Sequence, residues 1–167
     1  MKNYFVILFL LVFVSSCYKV KTYPPEPKVE YKSFSIDTID ELGNITLKGT
    51  LKFHFIDGDG DLGNNSDLDS SDNEININLF INILRKQDGV YQELEDELEI
   101  DYNYRIPYFE TAANNPTLKG DVIVREISLK KFADDTVKLR FYIKDRAGNE
   151  SNKAETPAIV ASDSISS

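Results

Sequence analysis

The segment FHFIDGDGDLGNNSDLDSSDNE, residues 53–74, concentrates carboxylates between two runs that have the pattern of β-strands. At its start Asp57, Asp59 and Asp61 alternate with two glycines. Alternate residues of an extended strand lie about 7 Å apart, too far for three carboxylates to reach one ion ligated at about 2.3–2.6 Å. Because glycine permits the chain to curl, the carboxylates can converge, and a cation would offset their mutual repulsion.

This spacing resembles the opening D-x-D-x-D of calcium-binding loops. Leu62 stands where the sixth position of an EF-hand loop requires glycine, and Leu68 replaces its closing glutamate, so an EF-hand is excluded. Further ligands would then come from Asn64, Asp67, Asp69 or backbone carbonyls. The sequence leaves two interpretations open, a calcium site and a solvated acidic loop. The predicted ligands are Asp57, Asp59, Asp61 and Asp67.

Side chains for other chemistry are scarce. The chain has one cysteine and one histidine, a composition that excludes the usual zinc sites. The histidine, His54, stands between Phe53 and Phe55, so strand alternation turns it towards solvent. A pair of carboxylates can hydrolyse a glycosidic bond, but no spacing here selects one pair. The sequence favours a protein that is not an enzyme, with an acid-pair hydrolase of an envelope glycan as the alternative.

The N-terminus has the pattern of an export signal. The apolar run at residues 4–14 is shorter than the roughly 20 residues of a membrane span and typical of a signal-peptide core. It ends in VSSC, residues 14–17, which resembles the lipobox of bacterial lipoproteins. That resemblance implies cleavage before Cys17, a diacylglycerol on its sulfur and an acyl chain on the new amino terminus. An ordinary signal peptide that leaves a free thiol on Cys17 is the alternative.

Composition and proline content divide the rest of the chain. The chain from Cys17 onward carries 18 basic and 28 acidic residues, so nucleic acid and anionic lipid surfaces repel it. Residues 17–30 form the anchored cysteine and a linker, in which three prolines favour an extended spacer. Residues 31–160 are predicted to form one domain, large enough to bury a core. Residues 1–16 are the signal peptide, and residues 161–167 a small polar tail.

Alternation of apolar and polar residues covers nearly the whole domain, and no window has a helical stripe over three turns. Residues 46–56, 75–83 and 136–145 alternate most regularly, and LEIDYNYRI, GDVIVREISL and NKAETPAIV supply further runs. The Asp-Gly pair in KQDGVY predicts a hairpin turn. Seven or eight strands at regular spacing predict an all-β, immunoglobulin-like antiparallel sandwich with Greek-key connections.

Two resemblances support this fold. YIKDRAGNESN, residues 142–152, resembles the turn between the last two strands of immunoglobulin-like and fibronectin type III-like domains of bacterial surface proteins. We expect Asp145 to accept hydrogen bonds from turn amides and Gly148 to have a positive φ. Together with FxFxDGDGDLG and NYRIPYF, the chain also resembles small envelope lipoproteins of the Bacteroidetes type. Surface-exported members carry acidic residues after the cysteine, and YKVK here implies the periplasmic face of the outer membrane.

Aromatic residues cluster in DYNYRIPYFE, residues 101–110. Exposed aromatic side chains can stack on sugars or form a protein-binding patch. Tyr102 and Tyr104 alternate on one face, however, which also suits a core position, and we favour the core. The sequence as a whole predicts a lipid-anchored binding or scaffolding module. Its partners are the membrane and an unidentified protein or glycan, without nucleic acid.

Overall fold

The computed structural model describes residues 22–41, 44–64, 77–94, 102–110, 116–129, 132 and 135–160. These residues form eight β-strands. In this part of the chain, no helix has the length and apolar character needed to cross a membrane. The strands are β1 (Lys28–Glu41), β2 (Asn44–Asp57), β3 (Leu79–Gln87), β4 (Val90–Glu93), β5 (Leu118–Ser128), β6 (Thr136–Ile143), β7 (Ala154–Glu155) and β8 (Ile159–Val160).

The strands form two antiparallel sheets. One has the order β1-β2-β5, and the other has the order β4-β3-β6-β7, with β8 also paired to β6. The chain passes from one sheet to the other after β2, after β4 and after β5, which produces the Greek-key connections of immunoglobulin-like domains. The predicted all-β sandwich is therefore confirmed.

The core lies between the sheets and is built by alternate residues of the central strands. Phe53 and Phe55 of β2 are buried in it, as are Leu139 and Phe141 of β6. The rings of Phe53 and Phe141 lie 4.9 Å apart at a tilt of 37°. The inward faces predicted for residues 46–56 and 136–145 are confirmed, because period-two alternation fixes which side chains leave water.

Strand β1 was not among the predicted strands, and it begins at Lys28, inside the range expected to be linker. A bulge between Tyr31 and Ser33 shifts its pairing with β2 by one residue. The apolar positions therefore change from odd numbers before the bulge, as at Val29, to even numbers after it, as at Phe34. This shift breaks the alternation that would have indicated a strand.

Two predicted strands differ from the structure. The described part of LEIDYNYRI forms only an isolated bridge, between Tyr104 and Leu79. Buried Asn78 fixes this segment, because its side chain accepts a hydrogen bond from the Ile106 N–H (2.6 Å) and donates one to the Ile106 carbonyl (3.0 Å). The predicted closing strand is divided into β7 and β8 around Pro157, which has no N–H to donate.

Candidate metal centre

Two buried aspartates lie where core strands end. Asp57 is the last residue of β2, and Asp145 lies two residues beyond the end of β6. Each continues the inward alternation of its strand, after Phe55 and Ile143 respectively. Asp57 is 0 % exposed and Asp145 is 6 % exposed, so both carboxylates lie at the end of the core.

The loop after Asp57 curls as the glycine spacing predicts. Gly60 has a φ of 71°, in the left-handed region that side chains other than glycine rarely adopt. The backbone returns far enough for the N–H of buried Leu62 to donate a hydrogen bond to Asp57 Oδ2, at 2.7 Å. This curl brings Asp59 and Asp61 to the same end of the sandwich as Asp57.

The turn after β6 closes over the loop. Asp145 accepts hydrogen bonds from the Asn149 backbone N–H (2.7 Å) and side-chain amide (2.9 Å), as expected for this turn, and Gly148 has a φ of 91°. The Ala147 N–H donates to Asp61 Oδ2 at 3.0 Å, and the Arg146 guanidinium donates to the Gly63 carbonyl at 2.8 Å. These bonds join the turn to the acidic loop.

Four carboxylates therefore converge. Asp57, Asp59, Asp61 and Asp145 each offer one oxygen atom, and these atoms all lie within 4.8 Å of one another. Calcium binds oxygen at about 2.3–2.6 Å, so two ligands on opposite sides of one ion lie about 5 Å apart. The four carboxylates are thus spaced to hold one metal ion between them.

Hydrogen bonds compensate the buried carboxylates of this cluster only in part. Among the described residues, Asp57 Oδ1 and Asp61 Oδ1 are buried and have no hydrogen-bond partner. The pKa of Asp57 is raised from 3.8 to about 6, mainly by burial and also by the charges of Asp59 and Asp61, while the hydrogen bond from the Leu62 N–H acts to lower it. Burial also raises the pKa of Asp61, as do the charges of Asp145 and Asp59. Buried carboxylates without partners cost free energy that a bound cation would recover.

Three of the four ligands predicted from the sequence meet in this cluster. The fourth, Asp67, lies outside the described residues, as do the alternative ligand Asp69 and the expected anchor Cys17. Asp145 was expected only to stabilise a turn, and sequence reasoning missed it as a ligand. The signal that could have found it is its position, because an aspartate that continues an inward-facing apolar alternation is buried.

The other residues singled out from the sequence lie elsewhere. His54 is half-buried on the outer face of the β1-β2-β5 sheet, where its Nδ1 lies 2.8 Å from Asp121 Oδ1. Hydrogen bonds from Lys32 and His54 hold the pKa of Asp121 far below its usual value. Tyr102 is buried, and its hydroxyl donates to the Ser128 carbonyl at 2.8 Å, as a core tyrosine would.

The segment before β1 packs against the acidic loop. At Gly58, a Cβ atom would lie 2.0 Å from the carbonyl oxygen of Pro24 and 2.6 Å from that of Tyr23. A side chain at position 58 would therefore force two backbones apart. The part of the expected spacer from Tyr23 onward is thus in contact with the domain beside the four carboxylates.

Comparison with known proteins identifies no relative. No family model, no curated protein and no solved structure matches the chain.

Proposed function

We propose that this protein is a lipid-anchored envelope protein whose β-sandwich acts as a binding or scaffolding module and is stabilised by bound calcium. The observation that carries the proposal is the convergence of Asp57, Asp59, Asp61 and Asp145, with two buried carboxylate oxygens that have no hydrogen-bond partner in the described structure. A fold that gathers four like charges, one of them fully buried, gains most from a ligand that is a small cation.

The donor set favours calcium among the common cations. All four groups are carboxylates, the hard oxygen donors that calcium and magnesium prefer, whereas zinc and copper sites use histidine or cysteine. Calcium takes six to eight oxygens in flexible geometry, so four carboxylates leave room for water or backbone carbonyls. Magnesium keeps several of its waters and is usually held by only one or two carboxylates. An exported protein would meet calcium outside the cytoplasm.

A hydrolytic function for these acids is less favoured. An acid-pair hydrolase needs both carboxyl groups in contact with the sugar. Asp57 is 0 % exposed and already accepts the Leu62 N–H, so a glycan has no route to it. The cluster therefore suits a structural ion better than a substrate.

The anchor is supported by the sequence alone. The lipobox-like VSSC ends an apolar run of signal-peptide length, and Cys17 is the only cysteine of the chain. Several acyl chains on one N-terminus hold a protein stably at a membrane. We place the protein in the outer membrane, on its periplasmic face.

The proposed calcium site is tested by calorimetric titration and thermal melting of the processed chain, residues 17–167. If free calcium is about 100 times its Kd, binding should stabilise the fold by about 2.7 kcal/mol and raise Tm on the order of ten degrees above its value in chelator. Asp145→Asn removes one ligand charge and should lose most of that rise. Asp88→Asn, at the exposed β3-β4 turn, is the matched control and should keep it. Identical wild-type melting curves with calcium and with chelator, without heat on titration, would refute the calcium site.

A further inference from the structure

A groove runs along one side of the sandwich. It has a volume of about 340 Å³ and lies between β5 and the segment after Tyr104. One wall is formed by five consecutive residues, Asp121–Arg125, and the other by Tyr104–Pro107 together with Phe109. Leu79 at the start of β3 also contacts the groove. The groove thus lies between the β5 edge of one sheet and the segment that contacts the start of β3 in the other.

The β5 wall is an open strand edge. β5 is the last strand of its sheet, and in the described part of the chain it pairs only with β2. Val122 is paired with buried Phe53 and faces inward, whereas Ile123 is paired with Lys52 on the outer face. Because residues of both faces line the groove, the backbone edge itself faces the groove and can hydrogen-bond to another strand.

Exposed apolar side chains cluster at this edge of the sheet. Ile123 is 48 % exposed and Phe109 is 39 % exposed, and both line the groove. Tyr108, 43 % exposed, is next to Phe109 in the chain and lies under the Arg146 guanidinium, 5.1 Å from its ring centre. A concave site with exposed apolar side chains is typical of a binding site.

The charged groups of the groove favour an anionic ligand. Arg105 and Arg125 line it, and Arg105 is held by its hydrogen bond to the Asn64 carbonyl at 3.0 Å. The acidic residue of the lining, Asp121, already accepts hydrogen bonds from Lys32, at 2.7 and 2.9 Å. In a chain with a formal charge of −9, this groove therefore offers two guanidinium groups to a carboxylate.

We propose that the groove binds an extended polypeptide segment, which pairs with the edge of β5 as a fourth strand of the β1-β2-β5 sheet. Main-chain hydrogen bonds to β5 would supply affinity, alternate apolar side chains would contact Ile123 and Phe109, and an acidic side chain would bind Arg125. A glycan lacks the regularly spaced N–H and C=O groups that a strand edge pairs with. The proposal depends on the proposed function only in treating the protein as a binding module, and neither calcium nor the anchor enters it.

The probe is the peptide Ac-TVTETV-NH2, in which two valines and the glutamate lie on one face of a strand, as Ile123 and Arg125 do on β5. It is added to ¹⁵N-labelled processed chain in calcium-containing buffer while amide shifts are followed. We expect saturable shifts concentrated at residues 121–125 and at 104–109. Ile123→Lys should weaken binding at least tenfold, because it puts a charge beside the apolar contact. Ile39→Lys, at a similarly exposed position on the opposite edge strand of the same sheet, is the matched control and should stay within twofold of wild type.

Two further comparisons separate strand addition from other binding. Arg125→Gln should weaken Ac-TVTETV-NH2 about tenfold but leave Ac-TVTQTV-NH2 within twofold, as expected for one charge-assisted hydrogen bond. A version of the peptide with alternate amides N-methylated should not bind. No shifts at millimolar peptide, equal binding of the N-methylated peptide, or binding of trigalacturonate alone would overturn the proposal. Concentration-dependent dimerisation through β5 would also overturn it, since the occupant would then be a second copy. Each of these results leaves the calcium melting test unaffected.

Discussion

Replacing Asp57 with asparagine should stabilise the metal-free protein at neutral pH while destroying its response to calcium. The Asp57 side chain is fully buried, and one of its oxygens accepts the Leu62 N–H at 2.7 Å. Asparagine has nearly the same shape, and its amide oxygen can accept that hydrogen bond. The substitution therefore removes the charge and preserves the contact that fixes the loop.

The size of this stabilisation follows from the pKa of Asp57, which is raised from 3.8 to about 6, mainly by burial. A carboxyl whose pKa is raised in the folded state binds its proton more tightly there than in the unfolded chain. Its contribution to the free energy of unfolding is therefore present below pH 3.8 and lost as the pH rises through 6. Two pKa units correspond to roughly 3 kcal/mol. Asp61, whose pKa is also raised, acts in the same direction.

The assay is urea unfolding in calcium-free buffer between pH 4 and pH 7.5, followed by far-ultraviolet circular dichroism. The wild type and Asp57→Asn should have similar free energies of unfolding near pH 4. At pH 7.5 the variant should be more stable by roughly 3 kcal/mol, because only the wild type carries the buried charge. Saturating calcium should stabilise the wild type and leave the variant nearly unchanged.

The comparison of the two proteins cancels the effects of carboxylates outside the aspartate cluster. Hydrogen bonds from Arg140 lower the pKa of Glu155, and those from Lys32 and His54 lower the pKa of Asp121, so both groups lose stabilisation as the pH falls. They act equally in the wild type and in Asp57→Asn. A difference between the two proteins that stays constant from pH 4 to pH 7.5 would show that the charge of Asp57 is not the destabilising group.

Two other predictions concern the core and the anchor. Phe53→Ala and Phe141→Ala should each lower the free energy of unfolding by about 3–5 kcal/mol, because both rings are fully buried against each other. Val90→Ala, at a side chain that is 60 % exposed, should change it by less than about 0.5 kcal/mol, and costs below about 1 kcal/mol at both phenylalanines would contradict the packing. Cys17→Ala should leave an unlipidated precursor that mass spectrometry detects in the cell fraction. Wild-type protein in the soluble periplasm with a free thiol would contradict the lipid anchor.

The sandwich was predictable from the sequence because its central strands obey strict alternation. In β2 and β6 every second side chain enters the core, so Phe53, Phe55 and Phe141 could be assigned to the interior without any knowledge of pairing. β1 could not be recognised because the bulge after Tyr31 moves its apolar side chains to the other parity. The segment 102–106 was wrongly predicted to be a strand because its residues alternate as in a strand, although it does not pair along its length with a neighbouring strand. The side chain of Asn78, rather than a neighbouring strand, pairs with the Ile106 backbone.

Only the three aspartates of the candidate metal centre that are close together in the sequence could be predicted. Asp57, Asp59 and Asp61 stand together in the sequence, and their glycine spacing indicates that they converge. Asp145 joins them only because β2 and β6 end on the same side of the core, which depends on how two sheets stack. The groove beside β5 is likewise a product of topology, since its walls come from segments with no shared sequence signal.

The hydrogen bond from the Ala147 N–H to Asp61 joins residues 86 positions apart, and in an exported chain this separation would set an order of folding events. A chain that crosses a membrane unfolded presents its acidic loop long before the turn that covers it. At that stage the loop carries three mutually repelling aspartates with neither the burial nor the fourth ligand that the finished site provides. The proposed ion could therefore be bound strongly only after β6 has docked and its turn has closed. Metal binding would then stabilise only the last stage of folding, and a chain truncated before Asp145 would lack that stabilisation.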